Sequence, residues 1–155
     1  MSDSHRQLLD TFYQALQRRD GEAMAACYHA DAEFVDEVFD LKGSEPGDMW
    51  RMLCTRGKDL RVEFSDVKVD GNRGSAHWEA WYTFSGTGRK VHNIIDAEFE
   101  FKDGRIYRHR DRFDFWSWSK QALGPIGLLL GATPMLRNKV RDKARKGLDQ
   151  FRSGK

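Results

Sequence analysis

The stretch DGRIYRHRDRFDFW, residues 103–116, sets a histidine and a carboxylate two residues apart among aromatic side chains. Alternate residues of a β-strand share a face, so Tyr107, His109, Asp111, Phe113 and Phe115 fall together. Arg108, Arg110, Arg112 and Asp114 fall on the other side and read as solvated or interfacial. A carboxylate among apolar neighbours is costly to bury unpaired, and its pKa rises. That suits it to moving protons near neutral pH. Asp111 is therefore the leading candidate for a general acid or base, and His109 for its orienting partner or a proton shuttle. The structural alternative is an Asp111 paired with His109 or a buried tyrosine, serving only the core. A His and an Asp at i, i+2 do not make a metal site, and spacing places no further ligand.

Other strands offer candidate lining residues. In SAHWEAWYTF, Ala76, Trp78, Ala80, Tyr82 and Phe84 share a face, so Trp78 and Tyr82 line an aromatic pocket or simply fill the core. In VHNIIDAEFEF the inward set is apolar except for Asn93. Asn93 either meets a ligand carbonyl or satisfies a buried backbone group. Tyr107 and Phe113 join them as pocket residues. His77, Glu79 and Trp81 face outward. Wet Trp81 and Trp116 side chains suggest a homodimer through the outer sheet face.

The elements that position these residues are legible from periodicity. Leu8, Leu9, Phe12, Tyr13 and Leu16 recur at helical spacing and predict a helix over 4–18. Asp20 is an N-cap for a second helix, GEAMAACYH, with Tyr28 inward. AEFVDEVF reads as a short strand. GSEPGDMWRMLCTRG reads as a loop and third helix, capped by Ser44 or Asp48. Four strands follow, separated by turns at Asp70-Gly71-Asn72, Gly86-Thr87-Gly88 and Asp103-Gly104. This order predicts an α+β domain with an antiparallel meander. Beyond it, WSWSKQALGPIGLLLGATPMLRNKVRDKARKGLDQF reads as one or two extra helices with a leucine-rich knot.

Composition narrows the function classes. At 155 residues and 39% hydrophobic, the chain suits one domain with one core. It has no long apolar run and no signal-peptide pattern at its start, so a cytoplasmic protein is expected. Cys27 and Cys54 are isolated. There is no Gly-rich phosphate loop, nucleophilic Ser or Cys constellation or metal cluster, so no cofactor is called for. The net charge of +2 hides an asymmetry. Residues 134–155 carry +6 and the remainder −4. The basic tail is a solvated helix packed on the acidic body, or a contact for an anionic membrane. No nucleic-acid motif accompanies it.

Three stretches carry a resemblance: FYQALQRRDGEAMAACYHADAEFVD, KGSEPGDMWRML and FEFKDGRIYRHRDRFD. Together they resemble the nuclear-transport-factor-2-like superfamily over about residues 8–118, with its ketosteroid isomerase-like, limonene-epoxide hydrolase-like and SnoaL-like polyketide cyclase branches. The resemblance implies a cone-shaped, curved antiparallel sheet packed against N-terminal helices, a cystatin-like roll around an apolar pocket. Residues 1–118 would form the SnoaL-like domain and 119–155 a C-terminal helical extension. Asp36 stands where the isomerases place their general base. The positions of their oxyanion-hole donors hold Phe12 and Ala97, which cannot donate, leaving Phe12 as a pocket wall. Asp111 matches one acid of the epoxide-hydrolase set, whose Arg and second Asp are replaced by Ala80 and Tyr82. The implied function is acid/base chemistry by Asp111, His109 and Asp36 on a small apolar molecule, steroid-, terpenoid- or polyketide-like. The alternative is a non-catalytic ligand-binding or protein-interaction module of the same fold.

Overall fold

A computed structural model describes residues 2–154. Its elements run α1 (Ser2–Gln17), α2 (Gly21–Ala26), β1 (Tyr28–Val35), β2 (Asp40–Lys42), α3 (Glu45–Arg56), β3 (Arg61–Asp70), β4 (Arg73–Phe84), β5 (Arg89–Lys102), β6 (Arg105–Arg112), α4 (Phe115–Leu123), α5 (Pro125–Leu130) and α6 (Pro134–Arg152). Leu9, Phe12, Tyr13 and Leu16 form the buried stripe of α1. Leu9, Phe12 and Leu16 each contribute about 1.5–3 kcal/mol by leaving water. Asp20 caps α2 by accepting from the Ala23 N–H at 3.1 Å. Ser44 precedes α3 but makes no side-chain cap bond.

Six strands form one curved sheet in the order β2-β1-β6-β5-β4-β3. The meander from β3 to β6 is antiparallel as expected. Asp103 and Gly104 turn β5 into β6 with φ of 54° and 73°, the left-handed conformation a tight hairpin turn needs. The sheet is not antiparallel throughout: β1 joins β6 in parallel. Between β1 and β6 the chain runs through β2, α3, β3, β4 and β5, so no short turn dictates their direction. Helices α1, α2 and α3 cover the concave face, and the main core lies between.

Four sequence readings change. Tyr28 opens β1 rather than closing the second helix, and AEFVDEVF is broken by a turn after Val35. A bulge between Glu100 and Phe101 turns both Ile106 and His109 inward. It sends Tyr107 outside, against His29 at 5.4 Å and under the Lys102 ammonium at 4.9 Å. β6 ends at Arg112, so Phe115 and Trp116 belong to α4. Trp81 does face outward, but it is sandwiched between the Arg61 guanidinium at 4.0 Å and the His92 ring at 4.4 Å. Its position needs no partner subunit.

The C-terminal residues form three helices that close the domain. Phe115, Trp118 and Ala122 of α4 share a small core with Val91, and Val140 of α6 packs against it. α6 then runs across α3, where Leu148 is fully buried in the main core. Its bases grip the acidic body. Arg145 pairs with Glu45, Arg152 with Asp48 at 2.9 Å, and Arg137 with Glu37 at 3.4 Å. The basic tail is thus packed on acidic neighbours, and residue 118 marks no break in packing. Leu148→Ala is expected to cost about 2–5 kcal/mol in urea denaturation. A loss under about 0.5 kcal/mol, the range of surface positions, would mean that α6 is not docked.

Candidate active site

Asp111 and His109 are 3% and 2% exposed on the concave face. Neither is left unsatisfied. The Trp50 indole N–H donates to Tyr28 Oη at 2.8 Å. Tyr28 Oη lies 2.8 Å from His109 Nδ1, and His109 Nε2 lies 2.8 Å from Asp111 Oδ1. An indole can only donate, so Tyr28 accepts from Trp50; an ionised Asp111 can only accept from Nε2, which leaves Nδ1 of a neutral imidazole to accept the Tyr28 hydrogen bond. Nε2 therefore carries the imidazole proton and donates it to Asp111. Phe99 and Phe34 hold the His109 ring at centroid distances of 4.3 and 4.8 Å. The Trp78 N–H makes a longer approach to Asp111 Oδ1, at 3.5 Å. Oδ2 of Asp111 takes no hydrogen bond from a described residue. The relay leaves one carboxylate oxygen for another partner.

Asp36 sits in the turn between β1 and β2. Its Oδ1 accepts from the backbone N–H of Val38 at 2.7 Å and of Phe39 at 2.6 Å. Asp36 thus holds the turn with its side chain. Burial nevertheless pushes the carboxyl from its ordinary 3.8 up to about 7, against those two bonds and with a smaller push from the Asp111 charge. Asp36 in turn adds to the burial that raises Tyr82 to about 12. Tyr82 Oη accepts from the Trp118 N–H at 2.8 Å. Asp36, Tyr82 and Phe113 remain partly exposed and form the accessible flank of the site.

The remaining candidates divide. Trp78 and Asn93 lie on the concave face as expected, and the Asn93 amide has no hydrogen-bond partner among the described residues. Phe113 bridges the two cores. Phe12 is fully buried in the core, edge-on to Tyr28, Trp50 and His109. Tyr107 lies outside. Aromatic side chains pack around Asp111 and His109 and leave both almost unexposed. A trough of about 590 Å³ is lined by charged residues such as Glu33, Glu98, Arg108 and Arg110, with Phe99 and His109 also contributing. Among the described residues no group of three His, Cys, Asp or Glu is arranged to hold a metal. Cys27 and Cys54 are buried, which pushes both thiols up to about 11.

One residue was not anticipated. Tyr13 Oη is the single buried side-chain polar atom without a partner among the described residues. Burial raises its pKa well above 10, and the Asp111 charge adds to the rise. A donor is thus present one residue beyond Phe12. The helical stripe placed Tyr13 inward, but periodicity does not show which hydroxyls lack partners.

A curved sheet under three helices, with two inward carboxylates, defines an α+β domain of the nuclear-transport-factor-2-like type. Residues 9–109 match the SnoaL-like domain, and the chain belongs to that family. No curated protein matches it. An LEH-like epoxide hydrolase from M. tuberculosis is similar, with a TM-score of 0.64 and 21% identity, over 84% of this chain and 98% of that one. A protein with a ketosteroid isomerase-like fold from Catenulispora acidiphila DSM 44928, in complex with trimethylamine, has a TM-score of 0.66 and 13% identity, over 76% and 93%. A de novo designed protein with a curved β-sheet has a TM-score of 0.59 and 25% identity, over 74% and 88%.

The raised Asp36 carboxyl has a stability consequence. Between about pH 4 and 7 the folded chain holds a proton that the unfolded chain releases. Stability from this group is therefore fullest at low pH and is lost as pH rises toward 7. Asp36→Asn keeps an oxygen for the Val38 and Phe39 N–H groups and removes the titration. The variant is expected to gain on wild type from pH 4 to 8, by on the order of 1–3 kcal/mol. Parallel stability–pH curves would assign Asp36 an ordinary pKa.

Proposed function

We propose that this chain is a small-molecule enzyme in which Asp36 and Asp111 transfer protons on an apolar substrate. The observation that carries this reading is the raised Asp36 carboxyl, at about 7, on the flank of a site whose other carboxylate keeps an oxygen free. A group titrating near neutral pH can both take and return a proton. Asp111, fixed by His109, would hold or orient the substrate oxygen or an attacking water. Tyr13 and Asn93 supply unpaired donors for charge that develops on a substrate oxygen, each worth about 10²–10³ in rate if aimed at it. The aromatic surroundings favour steroid-, terpenoid- or polyketide-like molecules. Isomerisation, cyclisation, hydration and epoxide opening are all within reach of this donor set. The likeness to an epoxide hydrolase supports the class of chemistry and leaves the reaction open.

A second reading is a binding or interaction module without catalysis. The low exposure of Asp111 and His109 favours it, because a substrate must displace aromatic packing to reach them.

Thermal unfolding of wild type, Asp111→Asn and Asp36→Asn with steroid enones, terpene epoxides and aromatic polyketides separates the two. A ligand at 100 times its Kd adds about 2.7 kcal/mol. The enzyme reading expects such a shift together with turnover by mass spectrometry. Turnover should fall at least about a hundredfold in Asp111→Asn while the fold is kept. Stabilisation without turnover supports the module. No shift with any of these ligands counts against both.

A further inference from the structure

The most exposed apolar surface lies far from the carboxylates. Helix α5 rests on α4 through glycine. A Cβ at Gly127 would fall 1.8 Å from the Ser119 carbonyl oxygen, and one at Gly131 2.2 Å from Ser119 Oγ. The helix is thereby mounted with its side chains outward. Ile126, Leu128 and Leu129 are 58%, 55% and 78% exposed, and Met135 of the α6 start is 65% exposed. Trp116 adjoins them, its indole N–H donating to the Leu128 carbonyl at 3.2 Å. Leaving this much apolar surface wet is unusual for a chain of this size.

Charge indicates what covers it. Arg89 and Lys120 line a cleft of about 300 Å³ together with Gly124, Pro125 and Leu128. The Lys120 ammonium stands 4.2 Å over the Trp116 ring, and Arg89 Nε donates to the Gln121 carbonyl at 2.8 Å. Residues 115–141 contain four bases and no Asp or Glu, although Arg137 is paired with Glu37 and Arg141 donates to the Glu37 carbonyl. A second copy docked on this patch would bring another Arg89 and Lys120 to the interface and no acid from residues 115–141 to neutralise them. An anionic bilayer meets both features, since leucines enter the acyl boundary while bases meet headgroup phosphates.

We propose that α5, with Trp116, Met135, Arg89 and Lys120, docks this protein on anionic membranes. Co-sedimentation of the full chain with phosphatidylcholine vesicles, with and without phosphatidylglycerol, tests it. Wild type is expected to bind the anionic vesicles, more weakly in high salt. Leu128→Ser/Leu129→Ser should abolish binding with an unchanged thermal melt, because both side chains project into solvent. Arg89→Gln and Lys120→Gln should each weaken binding about fivefold. Absence of binding at low salt, equal binding to neutral vesicles, or full binding by the double serine variant would overturn the proposal. So would a dimer in sedimentation equilibrium that the double serine variant dissolves.

Discussion

The hydrogen-bonded chain from Trp50 through Tyr28 and His109 to Asp111 joins α3, β1 and β6 inside the core. β6 lies far along the chain from β1 and α3, and β1 meets β6 in parallel, without a turn to fix the pairing. A buried polar group costs about 1–3 kcal/mol when left unpaired, and a charged one more. Each member of this chain is satisfied only when all three elements are in register. The relay therefore selects one arrangement of the roll at the place where local sequence signals are weakest. Its aromatic surroundings, with Phe12, Phe34 and Phe99 around His109, exclude water that would otherwise compete for the same bonds.

The same constraint shapes the site. Asp111 is held from behind through Oδ1, and its Oδ2 takes no hydrogen bond from a described residue. Asp36 is held in a turn by two backbone N–H groups, yet is buried enough to be pushed up to about 7. Two carboxylates in unlike surroundings are the arrangement expected of a divided acid/base task. The unpaired hydroxyl of Tyr13 belongs to the same logic, because a buried donor without a partner is a cost that a ligand oxygen would relieve. The C-terminal helices complete the enclosure. α4 supplies Trp118 to Tyr82, and α6 ties the Asp36 turn through Arg137 and Glu37.

Much of this was legible in the residues. Helical spacing placed α1 within two residues at each end, and alternation turned His109, Asp111, Trp78 and Asn93 inward correctly. Alternation failed at Tyr107, because a bulge adds one residue and reverses the face beyond it, and no side-chain pattern announces it. It also failed at Phe115, where Asp114 caps a helix that the aromatic spacing concealed. Tyr28 and Trp50 were missed as partners of His109 because their meeting depends on the β1–β6 register. Asp36 was found by family position, but its raised pKa comes from burial by segments remote in sequence. Tyr13 was placed inward, yet its lack of a partner is visible only once the core is packed.

The relay makes a definite claim about one proton. If Trp50 donates to Tyr28 and Tyr28 to Nδ1, then His109 is protonated at Nε2, facing Asp111. Nitrogen-15 NMR of the His109 imidazole reads this directly, with Tyr28→Phe as the control that removes the donor to Nδ1. The expected result is a single Nε2–H tautomer in wild type, with a bonded Nδ1 signal that changes in Tyr28→Phe. A proton on Nδ1, or a tautomeric average indifferent to Tyr28, would contradict the account of how Asp111 is held.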